Sequence, residues 1–382
     1  MISEEKRYKI VYCTPALYMA GGVERVLTIK ANYFAEKYDY DITIILTEGK
    51  DKKPFYPLSE KVKVINLDIN FEELWNCSFL RKICVYIKKQ RLYKKALQFE
   101  LMRIRPDITI SMLRREINFI TKIKDGSRKI GELHINRANY RNFNEKGIIK
   151  SVFSWFWMRS LVSNLRKLDK LVVLTDYDKK AWKELNNVVT IPNPLSFESA
   201  IKSPLTSKRI IAVGRYSHEK GYDLLLRAWA KVQVQCRDWQ LVIFGDGDRT
   251  LCDKLMDEQN INRNNCILNG RTQDVQKEYI ASSIAVCSSR FEGFGLAIVE
   301  AMACGLPVVS FDCPWGPRSI ISDGEDGILV ENGNVEGLTQ ALISLIEQLE
   351  RRKEMAENAV RNVQRYNMEQ IAHKWKTLFD SI

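Results

Sequence analysis

Short β-branched runs alternate with helix-patterned stretches along most of this 382-residue chain, and the alternation starts over once. Residues 9–13 read as a strand, a small-residue turn follows at Ala20-Gly21-Gly22, a helix runs over 23–37, and a second strand over 41–46. Successive parallel strands need such a crossover, so the pattern predicts a parallel sheet. Further strands are predicted over 62–67, 108–111, 129–132 and 171–174. Ile191-Pro192-Asn193-Pro194 then breaks regular structure. The pattern resumes with a strand over 209–213, a turn at Gly214, a helix over 222–232, and strands over 240–244, 266–268, 284–287, 307–311 and 328–330. The fold class that follows is α/β, with two doubly wound, Rossmann-like domains whose switch points open on a cleft. The domains are placed at 1–192 and 193–365, with a helix over 366–382 crossing back to the first.

The length suits two domains with substantial cores. No apolar run reaches the roughly 20 residues that span a bilayer. The start, Met1-Ile2-Ser3-Glu4-Glu5-Lys6-Arg7, is followed by a short strand-like run, so no signal-peptide core is expected there. Nine cysteines are scattered without a C-x-x-C pair, several of them in apolar runs. Such cysteines act as small hydrophobes, which points to a reducing cytoplasm and no structural metal. The net charge of +12 is uneven. Residues 1–200 hold 37 Lys and Arg against 23 Asp and Glu, whereas 201–382 hold 22 against 24. Between positions 81 and 170 the balance is 23 basic to 7 acidic. A basic first domain suggests an anionic partner surface.

The densest motif is Arg290-Phe291-Glu292-Gly293-Phe294-Gly295-Leu296-Ala297-Ile298-Val299-Glu300. Gly293 and Gly295 let backbone approach a ligand closely, and the N–H groups opening the following helix suit a phosphate. Glu292 on the loop and Glu300, about two turns into that helix, can each accept hydrogen bonds from hydroxyls. Phosphate donors between two hydroxyl-binding carboxylates describe a site for a sugar nucleotide; the competing possibility is a solvated helix with surface glutamates. Upstream, Gly214-Arg215-Tyr216-Ser217-His218-Glu219-Lys220-Gly221 follows a strand and opens a helix. Arg215 and Lys220 can reach a diphosphate there, the first as a planar fork and the second as a point charge. The segment is not a P-loop, because the closing Gly-Lys-Ser/Thr is missing.

The Glu292-x7-Glu300 spacing, running on into Gly-Leu-Pro-Val-Val at 305–309, resembles the signature of family 4 glycosyltransferases. The resemblance covers nearly the whole chain. It implies the two-domain GT-B fold and a retaining transferase. It implies that Arg215 and Lys220 hold the diphosphate, Glu300 the ribose and Glu292 the transferred sugar, with backbone at Phe294, Gly295 and Leu296 in support. Gly214, and Arg271 with Thr272 in the loop after strand 266–268, are expected beside the base and phosphates. Gly21 and Gly22 resemble the family's N-terminal glycine turn, and His134 its loop histidine at the donor sugar. Asp246-Gly247-Asp248 is a DxD string, but the competing motifs fit a metal-free site, so neither metal nor other cofactor is expected. The stiff loop Cys313-Pro314-Trp315-Gly316-Pro317-Arg318 is a candidate wall of the donor or acceptor pocket, and equally a candidate rigid turn.

The expected partners are a nucleotide-sugar donor, UDP-linked before GDP-linked, a lipid-linked saccharide acceptor and an anionic membrane surface. Two stretches suit the last: 79–105, rich in Lys and Arg with interleaved apolar residues, and 147–168, which holds Trp155, Phe156 and Trp157; the competing possibility is ordinary core packing with solvated lysines. No nucleic-acid module is present. The enzyme is therefore expected on the cytoplasmic face of the membrane, in capsule or O-antigen assembly. Three rivals remain: a nucleotide-sugar epimerase, which needs no acceptor; an inactive sugar-nucleotide sensor; and a nicotinamide dehydrogenase, against which the first turn's missing G-x-G-x-x-G argues.

Overall fold

The computed structural model describes residues 6–76, 78–137 and 148–382. The sequence readings at residues 1–5, Cys77 and Gly147 lie outside the described residues, and so do the side chains of Trp155 and Phe156. The chain divides into two units: residues 1–194 with 368–382, and residues 195–367.

In the first unit the order is β1 (Lys9–Thr14), α1 (Gly22–Lys37), β2 (Asp41–Leu46), β3 (Lys63–Asn66), α2 (Phe79–Ile104), β4 (Ile108–Ser111), β5 (Arg128–Leu133), α3 (Ile148–Leu165), β6 (Lys170–Val173), α4 (Asp176–Ala181) and β7 (Val188–Thr190). The seven strands form one parallel sheet in the order β3-β2-β1-β4-β5-β6-β7. Apolar residues on alternate sides of each strand feed a core on each face, as a doubly covered parallel sheet requires. Ile10, Tyr12, Ile42 and Ile44 bury against α1 on one face; Val11, Cys13, Leu171 and Val173 pack with Tyr93, Leu97 and Leu101 of α2 on the other.

The second unit runs β8 (Arg209–Val213), α5 (Tyr222–Gln235), β9 (Gln240–Phe244), α6 (Thr250–Glu258), β10 (Cys266–Asn269), α7 (Val275–Ile280), β11 (Ile284–Cys287), α8 (Leu296–Ala303), β12 (Val308–Asp312), β13 (Gly327–Glu331), α9 (Val335–Glu347) and α10 (Leu349–Asn362). Its six-stranded parallel sheet is ordered β10-β9-β8-β11-β12-β13. The chain order turns back between β8 and β11, so the loops after these two strands meet at a switch point. A final helix, α11 (Met368–Asp380), returns to the first unit, where Ile371, Trp375, Leu378 and Phe379 bury beside Leu27 and Phe34 of α1. Among the described residues no helix is long and apolar enough to cross a membrane.

Candidate functional site

At the switch point of the second unit, the turn that carries Lys220 lies directly on the segment after β11. Gly221 makes this possible. Its φ is +62°, and a Cβ there would fall 2.1 Å from the Ser288 carbonyl oxygen, so no other residue fits without moving backbone. The two segments are then stitched together. The Ser288 hydroxyl donates to the Lys220 carbonyl at 2.9 Å, and the Arg290 amide to the Glu219 carbonyl at 2.8 Å. The Arg290 guanidinium grips both oxygens of Asp223 at 2.8 and 2.7 Å and also reaches the His218 carbonyl at 2.9 Å. The outcome is an ion pair, Lys220 Nζ to Glu292 Oε1 at 2.7 Å, with the Ser289 hydroxyl donating to the same oxygen at 2.6 Å. Burial pulls the Lys220 ammonium down, but the Glu292 carboxylate and the neighbouring Cys287 more than offset it, and the net shift is upward. Lys220 is thus a fixed cation at the head of this sheet.

Gly295, at φ +111°, ends the loop and serves as the N-cap of α8, so Leu296 opens the helix. Its free amides are those expected to face a phosphate. Glu300 is the fifth helical residue, one turn in, not two. It is also not on an open wall: it is 4% exposed and accepts from the Ser196 hydroxyl at 2.6 Å. The Phe294 side chain turns into the core and meets Tyr366 edge-on, with ring centroids 5.4 Å apart, which leaves its backbone to serve a ligand. The loop around Gly316 lies against this turn, since a Cβ on Gly316 would come within 2.6 Å of the Phe294 carbonyl oxygen.

The other expected donor residues of the second unit are placed differently. Gly214 leaves room for Lys220, whose aliphatic stem would touch any Cβ at 3.0 Å. Arg215 is solvent-exposed and does not share the Lys220 ion pair. Arg271 is held by Asp246 at 2.6 Å, and the Thr272 hydroxyl accepts from the Asp274 amide at 3.1 Å. The DxD string is taken up the same way: Asp248 accepts from the Thr250 amide and hydroxyl at 2.9 and 2.6 Å, which holds its carboxyl below the usual range.

Gly21, Gly22 and His134 belong to the first unit. Gly21 is the N-cap of α1 and Gly22 its first residue. His134 follows β5, and its Nε2 lies 3.1 Å from Glu132 Oε1. The same Glu132 oxygen accepts from the ammonium of Lys30 on α1, and both Lys30 and Glu132 are fully enclosed. Lys30 in turn sits 4.5 Å from the centroid of the Trp375 ring on α11, a cation–π contact. Burial alone would raise the Glu132 carboxyl; Lys30 and His134 override it and hold it at about 2. Lys30 itself is pulled down by burial, which Glu132 offsets only in part.

Within the second unit the structure brings Gly214, Lys220, Glu292 and the start of α8 together around one sheet end. The sequence did not point to Arg290, Asp223, Ser289 and Ser196 as their supports, nor to Lys30 and Glu132 behind His134. Arg290 opened the motif but carried no role until its partner Asp223, 67 positions away, was seen.

Residues 196–362 match the family described as glycosyl transferases group 1. A Haemophilus influenzae protein described as an uncharacterized glycosyltransferase is 30% identical over 367 residues, covering 94% of this chain and 96% of that one. The amylovoran biosynthesis glycosyltransferase AmsD of Erwinia amylovora is 26% identical over 388 residues, covering 98% of this chain and 100% of its own. Among solved structures, a mutant of S. aureus TarM in complex with fondaparinux, α-GlcNAc-glycerol and UDP shares the fold, with a TM-score of 0.77 and 17% identity over 98% of this chain and 100% of that one. The pair of Rossmann-like sheets is that of the GT-B fold.

Proposed function

Because the chain belongs to the glycosyl transferases group 1 family, we propose that it moves a hexose or N-acetylhexosamine from a nucleotide sugar, a UDP-sugar before GDP-mannose, to a lipid-linked saccharide, with retention of configuration and without a metal. The observation that carries this is the fixed cation Lys220 held against Glu292 at the mouth of α8. A leaving diphosphate gains charge as the glycosidic bond breaks, and a preorganised ammonium beside helix amides stabilises that charge. Arg215, exposed and able to swing, adds a second cation when the diphosphate arrives. Glu300 takes the ribose hydroxyls, Glu292 those of the transferred sugar, and His134 orients that sugar. Attack on the same face, with a leaving phosphate oxygen taking the acceptor proton, gives retention. The UDP in the TarM complex supports the choice of nucleotide, and the name of the amylovoran biosynthesis enzyme supports a role in polysaccharide assembly. The basic first unit supports an acceptor at the cytoplasmic membrane face.

The test is transfer by the Glu292→Gln variant with a panel of UDP- and GDP-sugars and a lipid-linked acceptor. Leaving its partners unpaired is expected to cost on the order of 2–4 kcal/mol in kcat/KM, with activity unchanged by excess EDTA. Turnover of the variant at the wild-type rate would overturn the assignment. Glu300→Gln is the weaker probe, because that carboxylate is buried and its loss also lowers stability.

A further inference from the structure

The two basic, aromatic-rich stretches of the first unit do not act separately. α2, α3 and the turn from Arg114 to Phe119 line an open cavity of about 600 Å³. That is within the range of sites that bury a small ligand. On α2, positions 86, 87, 90, 91 and 94 share one helical face, so their side chains line one wall. Tyr86, Ile87, Phe119 and Trp157 make the cavity apolar on several sides. Arg91, Lys94 and Arg114 add three cations, and among the described residues no Asp or Glu lines it. Gln90, also in the lining, donates its amide to the Tyr86 hydroxyl at 2.8 Å and to the Arg115 carbonyl at 3.3 Å, which ties α2 to the turn.

We propose that this cavity binds the phosphate-bearing end of a lipid, with the chain against the aromatic wall and the phosphate on Arg91, Lys94 and Arg114. The charge complementarity selects an anion and the walls select an apolar body; neither inorganic phosphate nor a neutral lipid satisfies both. The purpose of the site, seating the acceptor, rests on the transferase reading, but its chemistry does not.

The experiment titrates the full chain by calorimetry with farnesyl diphosphate, with inorganic pyrophosphate and with farnesol. Farnesyl diphosphate is expected to bind at least about tenfold more tightly than either half alone. Arg91→Ala/Lys94→Ala is expected to weaken it by about tenfold or more, since each cation near a phosphate is worth roughly fivefold. Arg114→Ala, on an exposed turn, is the second variant should the first fail to fold. UDP and GDP are titrated into each protein in parallel. If either nucleotide binds and farnesyl diphosphate does not, the cavity proposal falls and the transferase reading stands. If neither nucleotide binds, that reading falls and the cavity is judged on its own titration. Equal affinity for pyrophosphate and farnesyl diphosphate overturns the proposal. So does a change of oligomeric state in the variants with lipid binding unaltered, which would assign the cavity to a second copy of the chain.

Discussion

Glu132 takes two hydrogen-bonding partners on one carboxylate oxygen while its other oxygen, Oε2, is buried without a donor. A charge so enclosed survives only because Lys30 balances it, and removing either partner strands the other. Lys30→Met and Glu132→Gln are each expected to cost about 3–5 kcal/mol of stability, whereas the double variant should cost clearly less than their sum; denaturant melts of all three decide it. The depressed Glu132 carboxyl also has a pH consequence. Its folded value of about 2 lies below the unfolded one, so it contributes stability above about pH 4.3 that is lost as the pH falls toward 2. Acid titration of stability should show this loss in the wild type and not in the double variant. None of this was legible beforehand. His134 was singled out by its neighbourhood in sequence, but Lys30 is 102 positions from Glu132, and an ordinary helix lysine gives no sign that it will be buried.

Gly221 fixes how the start of α5 meets the segment after β11, and Gly126 offers a control for it. Both have positive φ, but a Cβ on Gly126 meets nothing within 4 Å whereas one on Gly221 strikes the Ser288 carbonyl. Alanine at either position brings the left-handed strain of about 1–2 kcal/mol. Only Gly221→Ala is expected to go further, displacing Lys220, weakening UDP binding by tenfold or more and destabilising the unit beyond the Gly126→Ala reference. Equal melts and equal UDP affinities for the two variants would refute that account of the turn. The elements themselves were largely readable. β1, β2, β4, β8, β9 and β11 are short apolar runs rich in Ile and Val, and such runs have few alternatives in a buried parallel sheet. β7 was missed because it is three residues long, Val188–Thr190, and follows a pair of asparagines. What the motifs left out were the side chains that hold the site from behind, such as Arg290 and Ser289, whose partners are fixed only by the sheet order.

Charge is distributed by unit, with the basic excess on the first. On α2, Arg81, Lys88 and Lys95 recur every seven residues and are exposed, alongside the exposed Ile83, Leu92 and Phe99. Lys89 is different: its ammonium donates to the Ile69 and Asn70 carbonyls at 2.6 and 2.9 Å and pairs with Glu73, so it is a structural clamp and not a free surface charge. The protein is expected to co-sediment with anionic vesicles and to be released by salt. Changing Arg81, Lys88 and Lys95 together to glutamine should weaken this by about 3 kcal/mol, at roughly 1 kcal/mol per cation, while UDP affinity is kept. Unchanged sedimentation at low salt would rule out that face as the membrane contact. The path of the chain carries a different consequence. Leu27 and Phe34 of the first unit complete their packing only with Ile371, Trp375 and Phe379 of α11. A ribosome makes those residues after all of 195–367, so the α1 face of the first sheet can close its core only after the whole second unit has been made. Until then Lys30, which needs the Trp375 ring over it, waits with one side open to water.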